Sequence, residues 1–189
     1  MVSVYIVRCN FTAPDQETAW NAWYSGPKIV QMLAQPYFLS CQRFHRRSGR
    51  GRNYLALWTA ERPEALTTTQ YRSQWGFVDW EPLITSWSRD LFDGAGAMAA
   101  DFAVQPGGAL QVLSFDGMGA AADVAAQSQP GLRWLPSVGL DRHTPMIGLR
   151  PLEPGAAPLK VSQPDAFGED AIYQPITEFH TASRAAPAA

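Results

Sequence analysis

Few folds accommodate the order in which strand-like and helix-like segments follow one another over the first 92 residues. Residues 2–11 are apolar, β-branched and aromatic, with Arg8 as the one charge, and predict a central strand. Helical segments are predicted to begin at Thr12 and at Pro63. Further strands are predicted at 38–47, 53–60 and 84–92, with a hairpin turn at 48–52. This succession predicts an α+β fold built on an antiparallel sheet.

The first helix carries an aromatic face and a break beside it. Trp20, Trp23 and Tyr24 are spaced by three and four residues, so they share one side of a helix. Pro27 lacks the backbone N–H that a continuous helix needs. We therefore expect the helix to break at 25–27 and to restart as a short piece over 28–34.

The same order of elements begins again after an Ala- and Gly-rich stretch. A strand is predicted at 109–115, a helix at 118–127, a strand pair at 132–140 and 146–152, and a last strand at 172–180. The segment 153–170 carries prolines and glycines where a second helix is expected, and predicts an ordered loop. The predicted organisation is a first half over 1–93, a linker over 94–108, a degenerate second half over 109–180 and a flexible tail over 181–189.

Composition excludes several classes of partner. A net charge of −2 does not favour nucleic acid, and we expect the basic turn at 46–52 to be solvated. The first residues lack a signal-peptide pattern, and no run reaches the roughly 20 apolar residues that span a bilayer, which predicts a cytoplasmic protein without a membrane partner. Cys9 and Cys41 are expected to be buried and reduced. The spacing of the three histidines predicts no metal site.

Two segments resemble a known family. The stretch 20–44, WNAWYSGPKIVQMLAQPYFLSCQRF, is similar to the helix-to-strand region of EthD-like and related dimeric α/β-barrel proteins, and 86–93, SWSRDLFD, is similar to the family's last strand. The resemblance implies tandem ferredoxin-like halves whose antiparallel sheets form an intrachain dimeric α/β-barrel. Many relatives carry a histidine where this chain has Pro27, so that histidine's chemistry is not carried over. The family includes isomerases, cyclases, cofactor-free monooxygenases, haem enzymes and proteins without a known reaction, so the fold alone fixes no function.

Arginines on three predicted strands are candidate substrate anchors. Arg43, His45 and Arg47 alternate onto one face of the second strand, which predicts either an anion pocket or an edge strand whose charges face water. Arg8 lies mid-strand, so its partner is either an acid of the protein or a bound acid. Arg89 is a parallel case on the fourth strand. Together Arg8, Arg43 and Arg89 suit a carboxylated substrate.

Candidate acid–base groups are few. His45 and Tyr24 lie on the predicted elements of the first half, whereas His143 and His180 each follow an acidic residue near a strand end. Surface or core positions would explain each of them as well. Trp23 and Trp87 are candidates for lining a pocket, although core packing is the commoner role of such residues.

Together with the family resemblance, which implies the reaction and the substrate class, these residues predict a cofactor-independent isomerase acting on a double bond or lactone in a small carboxylated intermediate of aromatic catabolism. His or Tyr would transfer the proton and Arg would hold the carboxylate. A methyl-ester hydrolase or lyase on the same substrate class, an oxygen-using or haem enzyme, and a non-catalytic ligand-binding or assembly protein are the alternatives. No cofactor and no metal is expected, and homodimerisation is left open.

Overall fold

The computed structural model describes residues 2–116, 123, 129–161 and 164–183. The strands are β1 Ser3–Phe11, β2 Phe38–Arg50, β3 Tyr54–Ala60, β4 Ile84–Asp93, β5 Ala109–Phe115, β6 Arg133–Leu140, β7 Met146–Leu152, β8 Glu169–Pro175 and β9 His180–Thr181. The α-helices are α1 Glu17–Trp23, α2 Ile29–Leu33 and α3 Thr69–Gln74, and short 3₁₀ turns occur at Pro63–Thr67, Val78–Leu83, Ala99–Phe102 and Pro164–Ala166. No helix in these ranges is both long and apolar enough to cross a membrane.

The first eight strands close into an antiparallel barrel. Their order is β3-β1-β4-β6-β7-β5-β8-β2, and β2 pairs again with β3 to complete the circle. Around the barrel, the first set of strands has the order β4, β1, β3, β2, and the second set has the order β8, β5, β7, β6. The two sets therefore have the same internal arrangement. The pairs β4–β6 and β2–β8 join the two sets, so neither set keeps an open edge. The fold is therefore α+β with a closed eight-stranded barrel, and tandem ferredoxin-like halves stay an interpretation.

Alternation along each strand separates a barrel interior from an outer face. In β1, Val4 and Ile6 belong to the interior cluster with Phe44 and Phe92, whereas Tyr5 and Val7 pack outward beneath the helices. Around β5–β8 the outer face carries a separate aromatic cluster of Phe115, Trp134 and Phe167. Side chains next to each other in sequence therefore lie in different compartments.

Several predicted bounds need correction. β2 continues to Arg50 because its far end pairs with β8, and this pairing shows that β2 is not an edge strand. The helix predicted from Pro63 is a 3₁₀ turn followed by α3, and the Thr68 hydroxyl between them accepts a hydrogen bond from the Tyr71 N–H. The last barrel strand begins at Glu169, not at residue 172. The predicted helix at 118–127 falls outside the described residues except for residue 123, as does most of the predicted tail.

Candidate functional site

A cavity lies between the outer face of β1, β3 and β4 and the helical layer of the first half. Aromatic side chains form most of its walls, among them Tyr5, Tyr24, Trp58, Tyr71, Phe77 and Trp87. Its volume is about 30 Å³, which on the same measure holds roughly two water molecules. Lys28 and Arg89 are the charged residues of the described lining. The site is thus a small aromatic pocket with two basic groups.

A π-helical turn places Lys28 in this cavity. The turn spans Tyr24–Lys28 and contains Pro27, so the chain continues from α1 into α2 without the break expected from sequence. A π turn spaces its hydrogen bonds five residues apart, which accommodates the missing N–H of a proline and shifts the faces of the helix. The Lys28 side chain is consequently buried, with 5% of the residue exposed.

The Lys28 ammonium has few compensating contacts. Its Nζ donates a 2.5 Å hydrogen bond to the main-chain carbonyl of Gln74 and lies 5.9 Å from the centre of the Trp23 ring. No carboxylate of the described residues forms an ion pair with it. Burial without a counter-charge lowers the pKa of Lys28 from 10.5 to about 8. A substantial neutral fraction of the amine therefore exists near neutral pH.

Three tyrosine hydroxyls belong to the same lining. Tyr5 and Tyr71 share a hydrogen bond of 3.0 Å between their hydroxyl oxygens, and Tyr24 is 5% exposed. Burial raises the pKa of each of the three phenols above its ordinary value. All three are thus neutral at physiological pH. Because one of Tyr5 and Tyr71 donates its proton to the other, Tyr24 and one hydroxyl of that pair are left to donate a hydrogen bond to a ligand oxygen.

The mouth of the cavity is formed by two tryptophans and a short loop. Trp75 and Trp87 are each 40% exposed, with ring centres 6.2 Å apart. Between them in the chain, Gly76 has a φ of +89° and Val78 a φ of +53°, which is an uncommon conformation for valine. The Arg89 guanidinium lies over the Trp75 ring at 4.2 Å, and its Nε is 3.3 Å from Asp141 Oδ1. One cation thus borders the entrance.

Arg43 lies behind the cavity and does not reach its lining. Its guanidinium lies 4.1 Å from the Tyr24 ring centre and 4.9 Å from that of Trp20. It donates hydrogen bonds to the Asn21 main-chain carbonyl, to Asn21 Oδ1 and to Ser25 Oγ. Because Arg43 is 1% exposed, the interpretation in which this arginine faces water is wrong.

Arg8 occupies the opposite compartment, inside the barrel. It pairs with Asp90 at 3.0 Å and with Glu169 at 2.6 Å, and it also contacts Ser114 and Thr144. Of the two predicted kinds of partner, the structure provides the protein's own acids. Arg8, Arg43 and Arg89 are therefore not brought together around one ligand.

The three histidines lie in three separate places. His45 packs edge-on against Tyr54, with ring centres 4.9 Å apart. His143 is exposed beside Arg52 at one end of the barrel, and His180 in β9 borders a groove next to α2. None of them lines the cavity that contains Lys28. Among the described residues no group of His, Cys, Asp and Glu is arranged to hold a metal.

Of the remaining predicted residues, Tyr24 and Trp87 line the cavity, whereas Trp23 packs on Tyr24 and Trp80 behind it. Lys28, Tyr5 and Tyr71 were not predicted as site residues. Pro27 was the feature of the sequence from which the position of Lys28 could have been predicted. A proline inside a helical pattern occurs both where the helix breaks and where its hydrogen-bond register changes.

Comparison with solved structures identifies the fold. The chain is similar to an anthrone oxidase-like protein, with a TM-score of 0.58, 12% identity and coverage of 100% of this chain and 96% of the other. A Fusobacterium nucleatum protein provisionally named a monooxygenase matches with a TM-score of 0.54, 12% identity and coverage of 95% and 94%. A mutant chlorite dismutase from Candidatus Nitrospira defluvii matches with a TM-score of 0.51, 11% identity and coverage of 92% of each chain.

Neither protein-family models nor curated protein sequences match the chain. At such low identities the structural matches establish the dimeric α+β barrel fold and no more. The EthD-like resemblance stays a prediction.

The cavity does not fit a haem. Its volume of about 30 Å³ is far below that of a macrocycle, although tyrosine and methionine side chains are among its lining. We therefore assign no step to a haem at this position.

Proposed function

We propose that the chain is an enzyme that binds a small conjugated acid in the cavity below Trp75 and Trp87 and transfers a proton within it. The observation that carries the proposal is Lys28, a buried amine with a pKa of about 8 in an aromatic pocket. A base with a pKa near the working pH is what proton transfer requires. The reaction we favour is the isomerisation of a double bond or lactone.

In the proposed reaction, neutral Lys28 accepts a proton from an acidic C–H of the substrate and returns it to another carbon. The hydroxyls of Tyr5, Tyr71 and Tyr24 supply hydrogen bonds to the oxygen on which negative charge develops. Aromatic walls hold the flat substrate and exclude water, which strengthens these interactions. Proton transfer of this kind needs no co-reactant.

The carboxylate anchor of the proposal is Arg89. Its guanidinium borders the entrance, contacts Asp141 through Nε at 3.3 Å and shares a hydrogen bond with the Tyr71 hydroxyl. We assign the terminal nitrogens of Arg89 to a substrate carboxylate. Arg8 and Arg43 contribute no anchor here, because one is paired inside the barrel and the other is held by Asn21 and Ser25.

A second candidate function is oxidation of the same kind of substrate by dioxygen. The similarity to an anthrone oxidase-like protein over the full chain favours it. The starting step is shared, because a phenol or enol must also lose a proton before its anion reacts with dioxygen. Ester cleavage on the same substrates, and ligand binding without turnover, are further outcomes that the experiment separates.

The test begins with thermal-shift screening against unsaturated mono- and dicarboxylic acids, lactones and polycyclic phenols. A ligand at 100 times its dissociation constant stabilises the fold by about 2.7 kcal/mol. Each ligand is then followed by absorbance for isomerisation and by an oxygen electrode for oxidation. We expect Lys28→Met to abolish turnover and Arg89→Met to weaken the binding of acids, with Lys160→Met unchanged.

Conversion of a hit without oxygen uptake supports isomerisation, and oxygen uptake in step with substrate loss supports the second candidate. Binding without conversion makes the chain a ligand-binding protein. Turnover that survives Lys28→Met contradicts the proposed role of this residue.

A further inference from the structure

We propose that Lys28 is a nucleophile that forms a reversible imine with a conjugated aldehyde or ketone entering the cavity. The inference rests on the proposed function for the location of the site, and deepens it by naming a carbonyl group as the part of the substrate that Lys28 engages. It concerns covalent chemistry, which proton transfer by the same residue does not require.

The surroundings of Lys28 favour the neutral amine, which is the nucleophilic form. Its Nζ donates a hydrogen bond to the main-chain carbonyl of Gln74, which carries no net charge. By contrast, Arg8, which is fully buried, faces two carboxylates at 3.0 and 2.6 Å. A buried cation normally needs such partners because it has lost its hydration. Lys28 therefore occupies a position at which losing the proton relieves the desolvation.

The acid–base behaviour supports the same conclusion. With a pKa of about 8 in place of 10.5, the fraction of neutral amine at pH 7 rises about 300-fold. Desolvation in an apolar pocket is a recognised way of activating a lysine toward carbonyl compounds. The exposed Lys160 provides the comparison within the chain.

The cavity also contains the groups that imine formation needs. The lone pair of Nζ forms a bond to the carbonyl carbon, and the carbonyl oxygen takes up a proton, while the nitrogen loses one. The resulting hydroxyl then leaves as water after a second protonation, and a C=N bond remains. Tyr5, Tyr71 and Tyr24 carry neutral hydroxyls on the same lining, and we assign the protonation of this oxygen to one of them. Aromatic walls accommodate the conjugated remainder of the molecule.

Entry of such a molecule requires the mouth to open, because the closed volume is about 30 Å³. The hydrogen bond from Lys28 to Gln74 links the amine to the end of α3, directly before Trp75. Displacement of residues 74–78 would therefore widen the pocket and, at the same time, release Nζ from its acceptor. Small aldehydes should reach the amine more readily than bulky ones.

The chain contains two lysines, Lys28 and Lys160, which makes a chemical test simple. The full chain is incubated at pH 7 with cinnamaldehyde or, separately, acetaldehyde, in the presence of cyanoborohydride, which reduces an imine to a stable secondary amine. Peptide mass spectrometry then quantifies the adduct at each lysine over time. We expect Lys28 to react about ten-fold faster than Lys160 or more. In Lys28→Met, labelling at Lys160 should continue at its slow rate.

Labelling of Lys160 as fast as Lys28, or no labelling of Lys28 by either aldehyde, overturns the inference. Thermal unfolding of Lys28→Met establishes that the variant is folded, and the wild-type comparison of the two lysines does not depend on any variant. Lys28 labelling without turnover of any acid leaves the imine standing and rejects the proposed reaction. Lys28-dependent isomerisation without labelling of Lys28 supports the proposed reaction and rejects the imine.

Discussion

Arg8 Nη1 lies 2.6 Å from Glu169 Oε2, which joins the first strand of the chain to the eighth across the interior of the barrel. Asp90 on β4 completes the group at 3.0 Å from Nη2. All three side chains have at most 1% of their surface exposed. A charged cluster inside the barrel therefore connects residues from both sets of strands.

Arg8→Met should destabilise the fold by about 3–5 kcal/mol, because it leaves two carboxylates buried without their cation. Urea unfolding followed by circular dichroism measures the loss. Arg133→Met is the matched control, since its pair with Asp101 at 3.5 Å is about 40% exposed on each side. We expect that control to change the free energy of unfolding by less than about 1 kcal/mol.

The triple change Arg8→Met, Asp90→Asn and Glu169→Gln tests the reason for that loss. Removing both uncompensated charges should recover part of the stability lost by Arg8→Met, although the apolar side chain satisfies no hydrogen bond. No recovery would mean that packing of the Arg8 side chain, and not its charge, is what stabilises the barrel.

Arg43→Lys should destabilise the fold by about 1–3 kcal/mol although the charge is kept. The guanidinium donates to Asn21 and Ser25 from two nitrogens and lies against the Trp20 and Tyr24 rings, which an ammonium cannot reproduce. Arg62→Lys is the control, because Arg62 is exposed over Tyr37. Equal stability of the two variants in thermal unfolding would contradict a role for the planar group.

The barrel strands could largely be predicted, whereas the partners of buried charges could not. β5 and β7 match their predicted bounds because each is a short apolar run between turn residues. The alternation of Arg8 with its apolar neighbours indicated a covered position. Its partner Glu169 is 161 residues away and fell just outside the predicted last strand. Closure of a barrel brings together residues that are far apart in the sequence, and local sequence patterns do not indicate such pairs.

Lys28 was missed for a different reason, which lies in helix geometry. Each residue of an α-helix turns about 100° around the axis, so a local change of register moves all following side chains to another face. A break at Pro27 leaves Lys28 at the solvated start of a new helix. The observed π turn continues the helix and directs Lys28 toward Gln74. Sequence spacing alone does not distinguish these two outcomes.

The stability difference between the wild-type chain and Lys28→Met should depend on pH. The folded-state pKa of about 8 lies below the usual 10.5, so between these values the unfolded chain binds more protons than the folded one. The wild-type chain should therefore gain stability relative to the variant as pH rises through this window. Across the window from pH 10.5 down to pH 8, the difference in the free energy of unfolding should change in favour of the variant by up to about 3 kcal/mol.

Urea unfolding of both chains at pH 7, 8, 9 and 10 measures this difference. The contributions of titratable groups that both chains contain cancel in the difference. Lys160→Met, a change of the same kind at an exposed lysine, is the control variant. A constant difference between wild type and Lys28→Met over the whole range would show that Lys28 titrates as an ordinary solvated lysine.

Gly76, at the mouth of the cavity, should not tolerate alanine without a loss of stability. A Cβ built on Gly76 meets no atom within 4 Å beyond its chain neighbours, so crowding is not the reason. Gly76 has a φ of +89°, and an L-residue in this region costs about 1–2 kcal/mol. Gly76→Ala should therefore lower the free energy of unfolding, as measured by urea unfolding at one pH. Because Gly76 belongs to the mouth of the cavity, Gly76→Ala should also alter the rate at which aldehydes reach Lys28, whereas an unchanged rate would indicate that the loop is not the route of entry.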